Sequence, residues 1–330
     1  ASAEGNSTYS ALASLFGRVN YNYKQRYLVE FTARYDGSSK FARGNRWGFF
    51  PSASLGWRIS EEKFFQPLTT YVSNLKFRVS YGLLGNQSIS NYQYYSLISN
   101  GGNYMFGDKL EMGYAESVMG NEEITWESSK NFNVGLDFSL FDNRLYGTID
   151  WYKKRTSDIL LQLEVPDLLG ISSPMENAGV IENKGWDLTL NWQSKIGKDF
   201  NYRIGVVLSD VKNEVIDLKG YKSPTTNLTA RIEGEPLDAI FGYKTLGICE
   251  NEEQYKKYEK QMKTFNPKWN IGDIIIEDRD KNGRIDAADK TVIGNSIPRY
   301  TFGLNLGFDY KNWDFSCFFQ GVGKADGYVT

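Results

Sequence analysis

A period of two constrains this chain more than any other feature. Val19, Tyr21 and Tyr23 alternate with Arg18, Asn20 and Asn22. After Lys24-Gln25-Arg26 the pattern resumes, with Tyr27, Val29, Phe31, Ala33 and Tyr35 set against Glu30, Thr32, Arg34 and Asp36. Successive side chains of an extended strand point to opposite faces, so each segment has one apolar and one polar face. The pattern recurs about ten times, near 14–24, 27–36, 47–59, 74–84, 125–139, 144–153, 181–192, 200–211, 298–310 and 313–321. The apolar face must be buried against a second sheet or turned toward lipid.

The connections separate these two outcomes. Lys24-Gln25-Arg26, Phe141–Arg144, Gln193–Asp199 and Lys311-Asn312 are short, and 60–73 is intermediate. Segments 37–46, 85–124, 154–180 and 212–297 are long. Short and long connections alternate, so one rim carries turns and the other carries large loops. Antiparallel up-and-down strands with that asymmetry describe a transmembrane β-barrel whose long loops are extracellular. Tyr23, Tyr27, Trp57, Trp192, Phe200, Tyr310 and Trp313 fall at the short-turn ends, and Trp47, Trp126, Trp151, Trp186 and Tyr300 at the long-loop ends. Two belts of amphipathic rings suit the two interfaces of a bilayer. Val29, Phe31, Leu75, Phe77, Leu304 and Leu306 are then expected to face lipid, and Glu30, Arg34, Lys76, Arg78 and Asn305 a lumen. A soluble β-rich module that binds glycans with calcium is the alternative from a different class.

Composition narrows the function. No run of about 18 apolar residues marks a spanning helix. A formal net charge of −2 argues against nucleic acid as a partner. Histidine is absent, which removes the commonest general base. No nucleophile–base pair stands out, and adjacent Glu61 and Glu62 would lie on opposite faces of a strand, so no enzyme is expected. Cys249 and Cys317 lie far apart, and no disulfide between them is expected.

Long stretches of the chain resemble the SusC/RagA family of TonB-dependent outer-membrane transporters. They include "LFGRVNYNYKQRYLVEFTARYDGSSKFARGNRWGFFPSASLGWRISEE" (Leu15–Glu62), "LKFRVSYGLLGNQSI" (Leu75–Ile89) and "WESSKNFNVGLDFSLFDNRLYGTIDWYKKRTSDILL" (Trp126–Leu161). "NAGVIENKGWDLTLNW" (Asn177–Trp192) and Gly272–Gly321 continue the match in order. The resemblance implies a barrel of about 22 strands with a plugged lumen, in the outer membrane of a Gram-negative, Bacteroidetes-like bacterium. It also implies import of oligosaccharides or peptides, a SusD-like surface lipoprotein as lid, and energy from the TonB complex. Residues 1–330 are then expected to be a single barrel region of about ten strands, with the plug domain and the last strands absent.

The sharpest local motif is "DRDKNGRIDAAD" (Asp278–Asp289). Asp278, Asp280 and Asn282 occupy positions 1, 3 and 5 of a calcium loop, with Gly283 at the turn position. Arg284 offers a backbone carbonyl at position 7, Ile285 is the apolar anchor, and Asp286 and Asp289 fall at 9 and 12. Hard oxygen donors at this spacing can wrap one Ca²⁺, in a structural role. Position 12 holds Asp instead of Glu, and the flanks "DIII" and "TVIG" read as strands instead of helices. The competing reading is an Asp/Asn/Gly-rich turn without metal. Three weaker features complete the inventory: a basic loop of Lys40, Arg43 and Arg46, a charged helix within Tyr243–Phe265, and the tyrosines Tyr92, Tyr94, Tyr95, Tyr104 and Tyr114 of segment 85–124.

Overall fold

All ten expected strands form. In the computed structural model, which describes residues 7–100, 102–162, 168, 170–220 and 228–328, they stand side by side in chain order in one sheet. They are β1 (Leu12–Tyr23), β2 (Tyr27–Ser38), β3 (Trp47–Arg58), β4 (Val72–Asn86) and β5 (Glu127–Leu140), followed by β6 (Leu145–Gln162), β7 (Met175–Ile196), β8 (Phe200–Asp217), β9 (Arg299–Tyr310) and β10 (Trp313–Lys324). Each neighbouring pair is antiparallel, as in an open section of an up-and-down barrel wall.

Register keeps the two faces consistent from strand to strand. Val29 lies opposite Tyr21 and Leu55, Leu55 opposite Val79, and Val79 opposite Val134. Val134 continues the row to Trp151 and Trp186. A slip of one residue would turn this whole row to the other side. Large apolar side chains on this face stand open, Val29, Phe31, Leu55, Phe77, Trp151, Phe302 and Phe315 among them. Among the described residues nothing covers them as the second layer of a soluble sandwich would. A soluble glycan-binding module is therefore not favoured. The opposite face pairs its charges: Arg78 Nη2 lies 2.7 Å from Asp137 and 3.0 Å from Asp150, and Lys76 Nζ lies 3.8 Å from Asp137. Lys76 and Arg78 thus share one face with their counter-charges, away from lipid.

Short turns close one rim. Lys24 and Gln25 take positive φ between β1 and β2, and Asn22 Oδ1 accepts the Gln25 N–H at 2.9 Å. Phe141, Asp142 and Asn143 also have positive φ between β5 and β6. Glu61 and Glu62 do not continue a strand. Ile59–Glu61 is a turn of 3₁₀ helix, and the Glu62 carboxylate accepts from Tyr27 Oη at 2.7 Å and Trp57 Nε1 at 3.2 Å. Glu62 thereby anchors two rings of the short-turn belt.

The long rim differs from its sequence reading in three ways. Strands β6, β7 and β8 run for 18, 22 and 18 residues, so segment 154–180 is largely strand and its link is confined to the stretch between Gln162 and Met175. Past Lys153 the alternation breaks down, through Lys154-Arg155-Thr156-Ser157-Asp158 and then Ile159-Leu160-Leu161, while backbone pairing continues. Trp126 is not a belt residue. It is 7% exposed, packs with Phe41 and Phe50, and donates Nε1–H to the Arg46 carbonyl at 2.9 Å. The third difference is internal structure in the loops. Segment 85–124 holds two two-stranded sheets, one a hairpin lying between the strands of the other, and 212–297 holds two small sheets and helix α1 (Glu252–Phe265), which begins well after Tyr243. Residues 163–167, 169 and 221–227 of these segments lie outside the described residues.

Phe31 and Thr32 provide the direct contrast between faces. Phe31→Lys, on the apolar face near mid-strand, should destabilise the protein in vesicles by about 2–4 kcal/mol, and Thr32→Lys by much less. Urea midpoints of the two variants measure the difference; equal midpoints would reverse or abolish the assignment of faces.

Candidate metal loop

The Asp-rich motif sits on a small folded unit within 212–297. Helix α1 starts at Asn251, whose side chain accepts the Gln254 N–H at 3.0 Å, and carries Glu252 and Glu253 in its first turn. Acidic residues near a helix N-terminus complement its dipole. Met262 on the helix packs with Cys249, Trp269, Ile275, Ile276 and Ile285, all buried. Tyr255 stacks on Trp269 with ring centroids 5.5 Å apart. Strand Ile274–Ile276 pairs with Thr245–Ile248 and leads directly into the motif.

Ile285 is the motif's attachment to this core. Its side chain is 4% exposed, and its N–H donates to Thr264 Oγ1 of the helix at 3.0 Å. The turn before it follows a tight path. Gly283 has φ of +82°, a backbone conformation that suits glycine. Asp278 Oδ2 accepts the Gly283 N–H at 2.8 Å, Asp280 Oδ1 the Asn282 N–H at 3.0 Å, and Asn282 Oδ1 the Arg284 N–H at 2.8 Å. Asn282 Nδ2 also donates to Asp280 Oδ2 at 2.8 Å.

The structure brings Asp278, Asp280 and Asp289 together, with a carboxylate oxygen from each within 4.8 Å of the others. Asp289 is fully buried and closes the loop, since its oxygens accept the Arg279 N–H at 2.8 Å and the Asp286 N–H at 2.9 Å. Asp286 stands apart from that group. Its carboxylate accepts the Ala288 N–H at 2.8 Å and caps the 3₁₀ turn Ala287–Asp289. Asn282 and Arg284 lie between the two halves, with their side-chain oxygen and backbone N–H joined to each other. The flanks are strands, Ile274–Ile276 and Lys290–Gly294. Burial, followed by the charges of Asp289 and Asp286, pushes the phenol of Tyr243 above its ordinary range.

Thr264 and Tyr243 are the residues around this loop that the sequence did not single out. Thr264 lies 21 residues from its partner Ile285 and has no spacing signal. Tyr243 reaches the loop through pairing of Ala239–Tyr243 with Lys290–Gly294.

The other candidates resolve differently. Lys40 Nζ donates to the Ile89 carbonyl at 2.7 Å and Arg46 Nε to the Phe41 carbonyl at 3.1 Å, so both fasten loops instead of presenting free charge. Arg43 is exposed. The rings of Tyr94 and Tyr95 lie 4.3 Å apart between centroids, whereas Tyr104 and Tyr114 belong to separate two-stranded sheets and stand open.

Known proteins align with this chain over nearly its whole length. The family profile described as TonB dependent receptor-like, beta-barrel matches residues 2–329. TonB-dependent receptor P3 of Formosa agariphila is 35% identical over 319 residues, covering 94% of this chain and 31% of the relative. TonB-dependent receptor SusC of Bacteroides thetaiotaomicron is 32% identical over 320 residues, again covering 94% and 31%. The RagAB peptide importer in its open-open state superimposes with a TM-score of 0.79 at 27% identity, over 95% of this chain and 32% of that one. The chain thus spans about a third of the length of these relatives.

Asp289 gives the test of the loop's internal support. Asp289→Ala removes the acceptor of the Arg279 and Asp286 N–H groups, the two bonds with which this buried side chain closes the loop. Amide exchange across 278–290 should accelerate in this variant while the strand amides of β8 and β9 stay protected. Unchanged exchange in the loop would show that Asp289 does not hold it closed.

Proposed function

Because this chain belongs to the TonB-dependent receptor-like β-barrel family, we propose that its ten strands form a wall section of an outer-membrane nutrient importer. Receptors of this family reside in the outer membrane, and so does this chain. The supporting observation is the two-faced sheet: an apolar face for lipid, and a face where Arg78, Asp137 and Asp150 pair across three strands. The cargo is an oligosaccharide or a peptide. The peptide importer RagAB is among the structural relatives, and SusC among the sequence relatives. A SusD-like surface lipoprotein is the proposed partner at the long-loop rim, and the TonB complex the proposed source of energy. No catalytic step is assigned.

The Asp-rich loop is proposed to bind one Ca²⁺ as a structural ion. Asp278, Asp280 and Asp289 supply hard carboxylate oxygens, with Asn282, Asp286 and the Arg284 carbonyl as the remaining candidates; oxygen donors of this kind suit Ca²⁺. Backbone N–H bonds to these carboxylates leave further lone pairs for a cation. The ion would offset their mutual repulsion and brace the unit that precedes β9.

Uptake tests the transport reading. A strain lacking the full-length receptor should fail to import one oligosaccharide or peptide class and recover on complementation, and the receptor should co-purify with a surface lipoprotein. Import of every tested oligosaccharide and peptide at the parental rate would contradict it.

Calcium is tested through Tyr243. A cation in the loop cancels the field of Asp289 and Asp286, so calcium should lower the Tyr243 pKa, read as the ultraviolet difference between the full receptor and its Tyr243→Phe variant. Asp278→Ala with Asp280→Ala should remove the response. A phenol that titrates identically with calcium and with chelator would leave the motif as a plain turn.

A further inference from the structure

The lipid-facing side of β5–β8 changes character abruptly at the long-loop rim. The row Val134–Trp151–Trp186 still belongs to the belt. The next row up is Phe132–Lys153–Lys184–Lys212, three lysines directly opposite one another on adjacent strands. Above it runs Lys130–Arg155–Glu182–Glu214, with Lys130 directly opposite Arg155. Like charges placed opposite each other across strands are unfavourable without a counter-charge.

Internal pairing removes part of that excess. Glu182 is 5% exposed and receives Lys153 at 2.9 Å, Lys184 at 2.5 Å and Arg155 at 3.9 Å. Glu214 receives Lys212 at 2.9 Å. Five cations thus face two carboxylates, and among the described residues Lys130 makes no ion pair. Lys130 and Arg155, the latter 3.9 Å from Glu182, are the least neutralised of the five, and Lys153 lies beside both on the neighbouring row. Side chains of Lys153 and Arg155 remain 39% and 46% exposed. Such an excess does not follow from composition, since the chain as a whole carries −2. Nor is it general toward this rim: on β8 and β9, Asp210 pairs with Arg299, and on β2 and β3, Tyr35 stacks on Trp47.

From this juxtaposition we infer that Lys130, Lys153 and Arg155 bind the phosphate-bearing headgroup of an outer-leaflet glycolipid, whose acyl chains lie along the apolar face below. The inference rests on the proposed orientation, with the long loops outside. Position selects a lipid over a soluble ligand: on the face that carries Trp151, Lys153 stands one row above it, and Arg155 and its neighbour Lys130 two rows above, continuous with the lipid-facing band. Chemistry selects phosphate. A guanidinium and two ammonium groups offer charge-assisted donors to phosphate oxygens, and basic residues beside a bilayer attract anionic headgroups over about a Debye length. Glu182 orients Lys153 and Arg155 from within and holds them near the outer surface.

The test uses the full-length receptor, reconstituted in phosphatidylcholine vesicles doped with bisphosphorylated lipid A or with its enzymatically dephosphorylated form. After detergent exchange, native mass spectrometry reads the retained glycolipid. Wild-type receptor should retain the phosphorylated form and release the dephosphorylated one. The variant K130Q/K153Q/R155Q should lose retention by at least about tenfold, with unchanged heat-modifiable migration confirming a folded barrel. A second variant, K195Q/K198Q, removes basic residues from the short-turn rim and should retain glycolipid as wild type does. Equal retention by wild type and the triple variant, or equal retention of both lipid forms, would overturn the inference. Inorganic phosphate at millimolar concentration should displace little glycolipid; full displacement would show a simple anion site and also overturn it. The orientation is read separately, by impermeant labelling of Ser88→Cys on intact cells. Labelling without glycolipid retention refutes this inference alone, whereas absence of labelling refutes the orientation beneath it.

Discussion

Backbone hydrogen bonding in a medium without water is the constraint on which this structure depends. Inside hydrocarbon no solvent can satisfy an open N–H or C=O, so each strand must pair fully with its neighbours. Continuous antiparallel ladders from β1 to β10 meet that demand between the edges of the sheet. Register then follows from the side chains. With period two, the row running from Tyr21 through Val29, Leu55 and Val79 to Trp151 can face lipid only if every strand holds the same phase. The polar residues are gathered on the other side by the same alternation, which is why Arg78 meets Asp137 and Asp150 without any sequence motif joining them.

Above the bilayer the demand on side chains ends before the demand on the backbone does. Strands β6, β7 and β8 continue as paired ladders whose side chains no longer alternate between apolar and polar. Asn213 illustrates what this extension supports: it bonds to Asn183 across β7 and β8 at 2.8 Å and accepts the Leu237 N–H at 2.7 Å. Val215 on β8 is fully buried, and its N–H bonds to the Glu235 carbonyl at 2.9 Å. The unit built in 212–297 is thus joined to the wall by strand residues, and its own core of Met262, Trp269 and Ile285 keeps the Asp-rich turn in one shape.

The ten strands, their order and their faces were legible because lipid on one side and water on the other impose alternation residue by residue. Boundaries at β6–β8 were not, because pairing outlasts the alternation that reveals it. Trp126 misled for a related reason: its position near a strand end matches a belt, and only the fold of Phe41 and Phe50 over it makes it a core residue. In the Asp-rich loop the spacing identified Asp278, Asp280 and Asp289 and the glycine at positive φ. It could not distinguish Asp289, buried and closing the loop, from Asp286, turned to cap Ala288. That distinction depends on the path of a 3₁₀ turn. The row of lysines across β6–β8 was invisible in sequence, since it exists only through register between strands.

Accessibility along β7 tests the central claim most directly. Single spin labels placed from Asp187 to Trp192 in the full receptor, in bilayers, can be relaxed by oxygen dissolved in lipid or by a water-soluble nickel chelate. Labels at Leu188, Leu190 and Trp192 should respond to oxygen, and those at Asp187, Thr189 and Asn191 to nickel, in strict alternation. Two oscillations in phase with each other, or nickel access at Leu188 and Leu190, would contradict a sheet that separates lipid from a lumen.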